Sequence, residues 1–175
     1  MITYFKNTHK NPTYTEQKKF SKDTWIHVVD PKEDELEYLQ NTFKLDTPEL
    51  ESGIDKFELP RIEREHGITY VIIKYIQDNS LETLLIVLGK SFFLTLSKRK
   101  PQFLQKILDG KMKTTVKRKP NLLMQILSQN NQAIERTTLN LVKLINTKKD
   151  QQDELSERDL KKLLDNESIL NSLVS

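Results

Sequence analysis

The stretch DTWIHVVDPKEDELEYL, residues 23–39, changes character halfway along. Trp25, Ile26, Val28 and Val29 are strand-favouring and read as a buried strand. Asp30-Pro31 then breaks it. Asp30 suits a helix cap, Pro31 the first helical position, and Glu33 the acidic position of a capping box. Asp34, Glu35 and Glu37 place negative charge near the positive end of the helix. Leu36, Leu39 and Phe43 recur at helical spacing and form one apolar stripe. The stretch is therefore a strand–helix unit with a sharp boundary, and the rest of the chain is read outward from it.

Before it, Ile2–Phe5 reads as a short strand, and the polar run from Asn7 to Asp23 as a loop with one brief strand. After it, Thr47-Pro48-Glu49 opens a second short helix. Phe57–Glu63 is read as extended, because Pro60 interrupts any helix. His66-Gly67 makes a turn, and Ile68–Ile76 is rich in β-branched and aromatic residues. Asp78-Asn79 turns again. Leu84–Leu88 and Phe92–Leu96 are two further strands joined by a tight Gly89-Lys90 link. Successive strands of this kind point to a partly antiparallel sheet over residues 1–100.

From Pro101 the pattern becomes helical. Phe103, Leu104, Ile107 and Leu108 form a short amphipathic helix that Gly110 ends. Pro120 opens a long helix in which Leu127, Ile134 and Leu141 are spaced by seven. Leu123 and Leu144 mark a companion row that Asn130 and Thr137 interrupt, giving a coiled-coil-like seam with two polar layers. Lys148–Glu154 is wholly polar and is expected to bend. Leu155, Leu160, Leu163, Leu164, Ile169, Leu170, Leu173 and Val174 resume a helical stripe. No glycine or proline stop precedes Ser175, so the last helix is expected to be cut short there. The expected architecture is α/β, a mixed sheet with flanking helices, followed by a long helical hairpin and the start of a stalk helix. The divisions fall at 1–100, 101–154 and 155–175.

Composition narrows the chemistry. The 175 residues are 36% hydrophobic and 30% charged, which favours a modest core with long solvated helices. The absence of cysteine removes disulfides, thiolate metal sites and cysteine nucleophiles. No apolar run approaches the roughly 20 residues of a membrane helix. Met1–Phe5 lacks the basic head and apolar run of a secretory signal, so the chain as given is expected to be soluble. His9, His27 and His66 have no partner at ligand spacing and read as surface or strand-face residues. No phosphate-cradling glycine loop and no G-x-S-x-G elbow occurs.

Two charged regions invite a function. Lys98, Arg99, Lys100, Lys106, Lys111, Lys113, Lys117, Arg118 and Lys119 face a single acid, Asp109. With few aromatics among them and a formal net charge of only +3, they read as a solvated connector, and no nucleic acid is expected. Asp46, Glu49, Glu51, Asp55, Glu58, Glu63 and Glu65 form an acidic cluster. Oxygen ligands of this kind suit hard cations. Salt bridging with Arg61 and Arg64 is the simpler use of the same charges.

Three segments, taken in order, resemble one family. Trp25–Pro31 with Glu35 and Leu36 resembles the W-I-x-φ-x-x-P-x-x-x-E-[LIV] segment of CorA-type magnesium transporters (φ apolar). Asp55–Glu63 is similar to that family's D-x-x-E-x-P-R-x-E stretch. Phe92–Leu96 is similar to its last strand before the helical region. The resemblance implies no enzyme and no required cofactor. It implies the amino-terminal cytoplasmic domain of a homopentameric divalent-cation transporter, on the inner side of the cell membrane. The two membrane helices and the Gly-Met-Asn signature would lie further along the protein.

It also implies regulation by Mg²⁺ bound to carboxylates between neighbouring domains. Glu51 falls on an acidic position of the family, and Glu51 and Asp55 are the ligands it suggests. The next position, often aspartate, is Ser52, and the acids expected on the long helix are replaced around Asn130, Asn131 and Gln132. Family members tuned to cobalt, nickel or zinc leave the preferred ion open. A helical-hairpin interaction module docking a partner coiled coil is the alternative function.

Overall fold

A computed structural model describes the backbone of residues 1–78 and 80–150, with side chains through residue 140 and at Val142 and Lys143. Its centre is a seven-stranded sheet. The strands are β1 (Ile2–Lys6), β2 (Thr15–Gln17), β3 (Thr24–Val29), β4 (Arg61–Glu65), β5 (Ile68–Gln77), β6 (Ser80–Leu88) and β7 (Phe92–Ser97). Their order is β2-β1-β3-β7-β6-β5-β4. Every neighbouring pair is antiparallel except β3 and β7, which run parallel from Thr24↔Phe92 to Val29↔Ser97. The sheet is thus mixed, and β3 and β7 form its middle.

Alternation along these strands divides the core into two layers. On one face Trp25, Val71, Tyr75, Leu84, Ile86 and Phe93 are covered by Phe103, Leu104, Ile107, Val116, Leu122 and Ile126. On the other face Ile26, Val28, Tyr70, Ile72, Leu85, Val87, Leu94 and Leu96 are covered by Leu39, Phe43, Leu45 and Leu50. The second cover consists of α1 (Glu33–Phe43) and α2 (Thr47–Ser52). The first consists of a 3-10 turn over Gln102–Leu104, α3 (Gln105–Leu108), a second 3-10 turn over Val116–Arg118 and α4 (Lys119–Asp150). Gly110, at φ 73, turns the chain after α3. A Cβ there would stand 2.6 Å from the Thr13 backbone nitrogen, so this turn fits closely against the β1–β2 connection.

The strand–helix boundary comes two residues later than the sequence suggests. Asp30 is not the cap. It adopts a left-handed backbone at φ 46, donates its N–H to Ser97 O at 2.9 Å and pairs its carboxylate with Lys98. Lys32 is the N-cap residue, and Glu35 rather than Glu33 closes back on it, accepting its N–H at 3.0 Å. The same carboxylate holds the amino terminus of Met1 at 2.9 Å. Spacing explains the shift. Once Asp30 is used to finish the β3–β7 pairing, the acid three residues beyond the new cap is Glu35.

Other boundaries also moved. Residues 57–60 form a turn and loop, and extended structure begins only at Arg61. The link after β6 has three residues, Gly89–Ser91, not two. In α4 the fully buried positions are Leu122 and Ile126, while Leu127 and Ile134 are half-buried. The helix turns its Leu122–Ile126–Asn130 row toward the sheet, and the expected seam lies beside that row. Both polar layers make hydrogen bonds within the chain, although Asn130 Oδ1 is buried without a partner among the described residues. Asn130 Nδ2 donates to Lys74 O at 2.8 Å, and Thr137 Oγ1 donates to Ala133 O at 3.1 Å. Helix continues through Lys148–Asp150, where a bend was expected. The remainder of that polar run, the second arm of the hairpin and the stalk fall at 151–175, outside the described residues.

Candidate functional site

The acidic residues gather around α2, and packing decides which way they face. Leu50 is buried against the sheet, and Gly53 sits so close that a Cβ would stand 2.7 Å from both Leu85 Cβ and Leu96 Cδ2. With one side of α2 pressed flat on β6 and β7, Glu49 and Ser52 reach Arg61 on the edge strand β4, while Glu51 is exposed.

Arg61, the first residue of β4, collects most of this charge. Its Nη2 donates to Glu49 Oε1 and Oε2, both at 3.2 Å, and to Ser52 Oγ at 3.2 Å. Its Nη1 donates to Glu58, and its Nε to Glu63 Oε1 at 2.6 Å. Burial pushes the Glu49 carboxyl above its ordinary range; Arg61 opposes this and Glu63 adds to it. The salt-bridge use of these acids is therefore realised at Arg61. Arg64 makes no ion pair among the described residues.

The two residues suggested as metal ligands stand outside that knot. Glu51 is exposed near the end of α2, and among the described residues its carboxylate has no ion-pair partner. Asp55 is exposed in the following turn. Its Oδ1 accepts the Phe57 N–H at 2.8 Å and its carbonyl accepts from Thr83 Oγ1 at 2.6 Å. Beneath this turn lies Lys74, 8% exposed, whose Nζ donates to Lys56 O at 2.7 Å and Thr83 Oγ1 at 2.8 Å. Burial lowers the lysine's pKa, and Asp55, Glu58 and Glu82 work against that shift. Among the described residues Glu51 and Asp55 join no group of three metal-ligating side chains within one chain. Asp46 and Glu65 also stand apart from the Arg61 knot, at the opposite end of α2, where they meet His66.

Part of the basic segment is answered by neighbours. Lys98 pairs with Asp30, Arg99 Nε reaches Glu82 Oε1 at 3.4 Å, and Lys119 Nζ donates to Lys90 O at 2.9 Å. His9 is exposed in the β1–β2 connection, whereas His27 is 5% exposed on β3. No helix among the described residues is long and apolar enough to cross a membrane.

With this arrangement in view, comparison with known proteins settles the family. The model of the CorA-like Mg²⁺ transporter proteins matches residues 21–173. The chain belongs to the CorA family. The cobalt/magnesium transport protein CorA of Methanocaldococcus jannaschii is 29% identical over 79 residues, covering 43% of this chain and 25% of that protein. The complete CorA magnesium transporter structure from the same organism superposes at a TM-score of 0.76 with 20% identity, over 99% of this chain and 58% of that one. The soluble domain of that CorA superposes at 0.70 with 21% identity, over 94% of this chain and 70% of the other. The chain therefore spans a quarter of the curated relative and little more than half of the complete CorA structure. The resemblance carried by Trp25–Leu36, Asp55–Glu63 and Phe92–Leu96 is borne out, as is the mixed α/β fold.

Arg61 is the residue of this region that charge counting undervalued. Its place in the D-x-x-E-x-P-R-x-E stretch was the available signal. Replacing it with methionine, which keeps an apolar stem, is expected to cost about 1–2 kcal/mol at pH 7. Glu49, at 7% exposed, would then hold a carboxylate away from water without its cation. Because burial already raises that carboxyl, the loss should shrink as pH falls through the carboxylate range and Glu49 becomes neutral. Urea unfolding of wild type and Arg61→Met at pH 7 and pH 4 checks this. Equal losses at both pH values would mean that packing, not charge, is what Arg61 supplies.

Proposed function

We propose that this chain is the cytoplasmic regulatory part of a CorA-like transporter of magnesium or another divalent cation, and that it neither conducts ions alone nor acts as an enzyme. The family match over residues 21–173 carries the reading. The geometry supports it: a sheet domain presents an acidic surface, and a helix of 32 residues departs from it. At 1.5 Å per residue such a helix is roughly 48 Å long, well beyond the sheet it packs on.

In this reading the full-length protein is a homopentamer, and its membrane-spanning helices lie outside this chain. Glu51 and Asp55 bind the regulatory cation jointly with a neighbouring copy, since among the described residues one chain offers them no third ligand. Mg²⁺ keeps several waters and takes only one or two carboxylates from a protein. Two exposed carboxylates facing another subunit are suited to that role. Bound Mg²⁺ removes repulsion across the interface and favours the associated, closed arrangement.

Thermal unfolding of the full-length pentamer with and without Mg²⁺ tests this. At tenfold excess over Kd a cation bound only to the native state contributes about 1.4 kcal/mol. That corresponds to a rise in midpoint of about 3–5 °C. The rise should disappear in Glu51→Gln/Asp55→Asn. An unchanged midpoint in wild type, or an undiminished rise in the double variant, would remove these residues from the role. The alternative, a helical-hairpin interaction module, draws on Leu139 and Val142, which are 51% and 47% exposed on α4. It predicts self-association or capture of a partner helix indifferent to divalent ions.

A further inference from the structure

We propose that Asp46, Glu65 and His66 form a binding site for a divalent transition-metal ion, Zn²⁺ or Co²⁺, within a single chain. One ligand atom from each residue lies within 4.8 Å of the other two. The three come from two separate segments. Asp46 immediately precedes α2, whereas Glu65 ends β4 and His66 opens the two-residue turn into β5. His66 and Gly67 both have a left-handed backbone, at φ 49 and 78, the geometry of a tight hairpin. This turn sets the imidazole next to the carboxylate of the strand it follows.

Asp46 is held in place by a buried donor. The hydroxyl of Tyr70, a residue 1% exposed on β5, donates to Asp46 Oδ2 at 3.1 Å, and the hydroxyl oxygen accepts the Asp46 N–H at 3.3 Å. An outer hydrogen bond of this kind orients a ligating carboxylate. Arg61 takes up Glu49, Glu58 and Glu63, but among the described residues no cation pairs with Asp46 or Glu65.

The donor set discriminates between ions. An imidazole nitrogen with two carboxylate oxygens suits zinc, cobalt or nickel, whereas magnesium prefers oxygen alone. An ion about 2.0–2.1 Å from each ligand needs ligand atoms roughly 3–3.5 Å apart. Atoms as far as 4.8 Å apart must therefore draw together, which the exposed Glu65 and His66 can do by changing rotamer. Three protein ligands leave a fourth position for water. This site is distinct from the carboxylates proposed for magnesium and needs no second subunit.

Calorimetric titration of the metal-free 175-residue chain with ZnCl₂, CoCl₂ and MgCl₂, each alone, tests it. One saturable Zn²⁺ site per chain is expected, at least tenfold tighter than Mg²⁺. His66→Asn and Glu65→Gln should each weaken Zn²⁺ at least tenfold, while Glu51→Gln should not change it. Asparagine tolerates the left-handed backbone at position 66, and both positions are exposed, so the variants should keep the wild-type melting midpoint in EDTA. In proton NMR, Co²⁺ should displace the His66 ring signals and spare those of His9 and His27. No saturable Zn²⁺ binding, equal affinity for Mg²⁺, or unchanged affinity in both variants would overturn the proposal. Loss of Zn²⁺ binding in Glu51→Gln would do the same. None of these results would alter the magnesium-dependent melt of the pentamer, so the two ideas fail separately.

Discussion

Trp25→Ala is expected to lower the stability of the domain by about 3–5 kcal/mol, the range for removing a large aromatic side chain from a core. Trp25 is fully buried on β3, in the middle of the sheet. Its ring meets Tyr14 edge-on at 5.2 Å and Phe93 at 6.0 Å between centroids. Through Tyr14 it ties the β1–β2 connection to the core. Its Nε1 also donates to Thr95 Oγ1 at 2.8 Å, so truncation removes a buried hydrogen bond along with the apolar surface. Trp25→Phe keeps a ring but not the donor and should cost roughly half as much, the residue being a smaller void and one lost bond. Because this is the chain's single tryptophan, the variants must be followed by circular dichroism. A lower midpoint in urea with an unchanged slope is the expected form. A loss below about 1 kcal/mol for Trp25→Ala would show that the neighbouring rings collapse into the space, and that the β3 face is not rigidly packed.

His27 should make the domain lose stability on mild acidification. It lies two residues from Trp25 on the same strand face, and its Nδ1 is 2.9 Å from the same Thr95 Oγ1. Indole can only donate, so Thr95 accepts from Trp25 and can give its own proton to His27 Nδ1. The neutral imidazole then carries its proton on Nε2, a buried atom without a partner among the described residues. Burial, with a smaller contribution from Lys100, lowers the histidine to about 4 from 6.5. The sign follows from which state binds the proton. Above pH 6.5 neither state is protonated at this residue. Between 6.5 and 4 the unfolded chain takes up a proton that the folded chain refuses, so stability falls with pH. Between pH 7 and pH 4.5 the loss from this residue is about 2–3 kcal/mol. In His27→Gln, which cannot titrate, the stability difference between those two pH values should shrink by that amount. Parallel pH profiles for the two proteins would mean that the folded state admits the proton, through water reaching Nε2.

Much of this architecture is written locally. Trp25–Val29 is strand-favouring and ends at Asp30-Pro31, and Leu39 and Phe43 fall on one side of the helix that follows. The runs Ile68–Ile76, Leu84–Leu88 and Phe92–Leu96 are bounded by turn residues. These features depend on near neighbours: which residues tolerate a pleated backbone, and which recur every second or every third to fourth position. The family resemblance rests on the same short segments. Boundaries were displaced where a distant partner intervened. Asp30 left the helix because Ser97 and Lys98 engaged it, and that pairing is invisible from residue 30 outward.

The remainder required segments far apart in the chain to meet. Parallel pairing of β3 with β7 sends α1, α2 and three strands across one intervening excursion, and no local preference specifies it. Arg61 became the hub of the acidic surface because the edge position of β4 set it beside α2, where a charge count alone left every acid equivalent. Asn130 read as a polar break in a coiled-coil seam, yet it anchors α4 to the Lys74 carbonyl. His66 read as a turn residue without partners, since ligand spacing along the sequence cannot register Asp46 approaching from another segment. Periodicity and propensity act over a few residues and so survive in the linear order. Pairing, charge neutralisation and ligand convergence are properties of distance in space, and the folded sheet is what creates those distances.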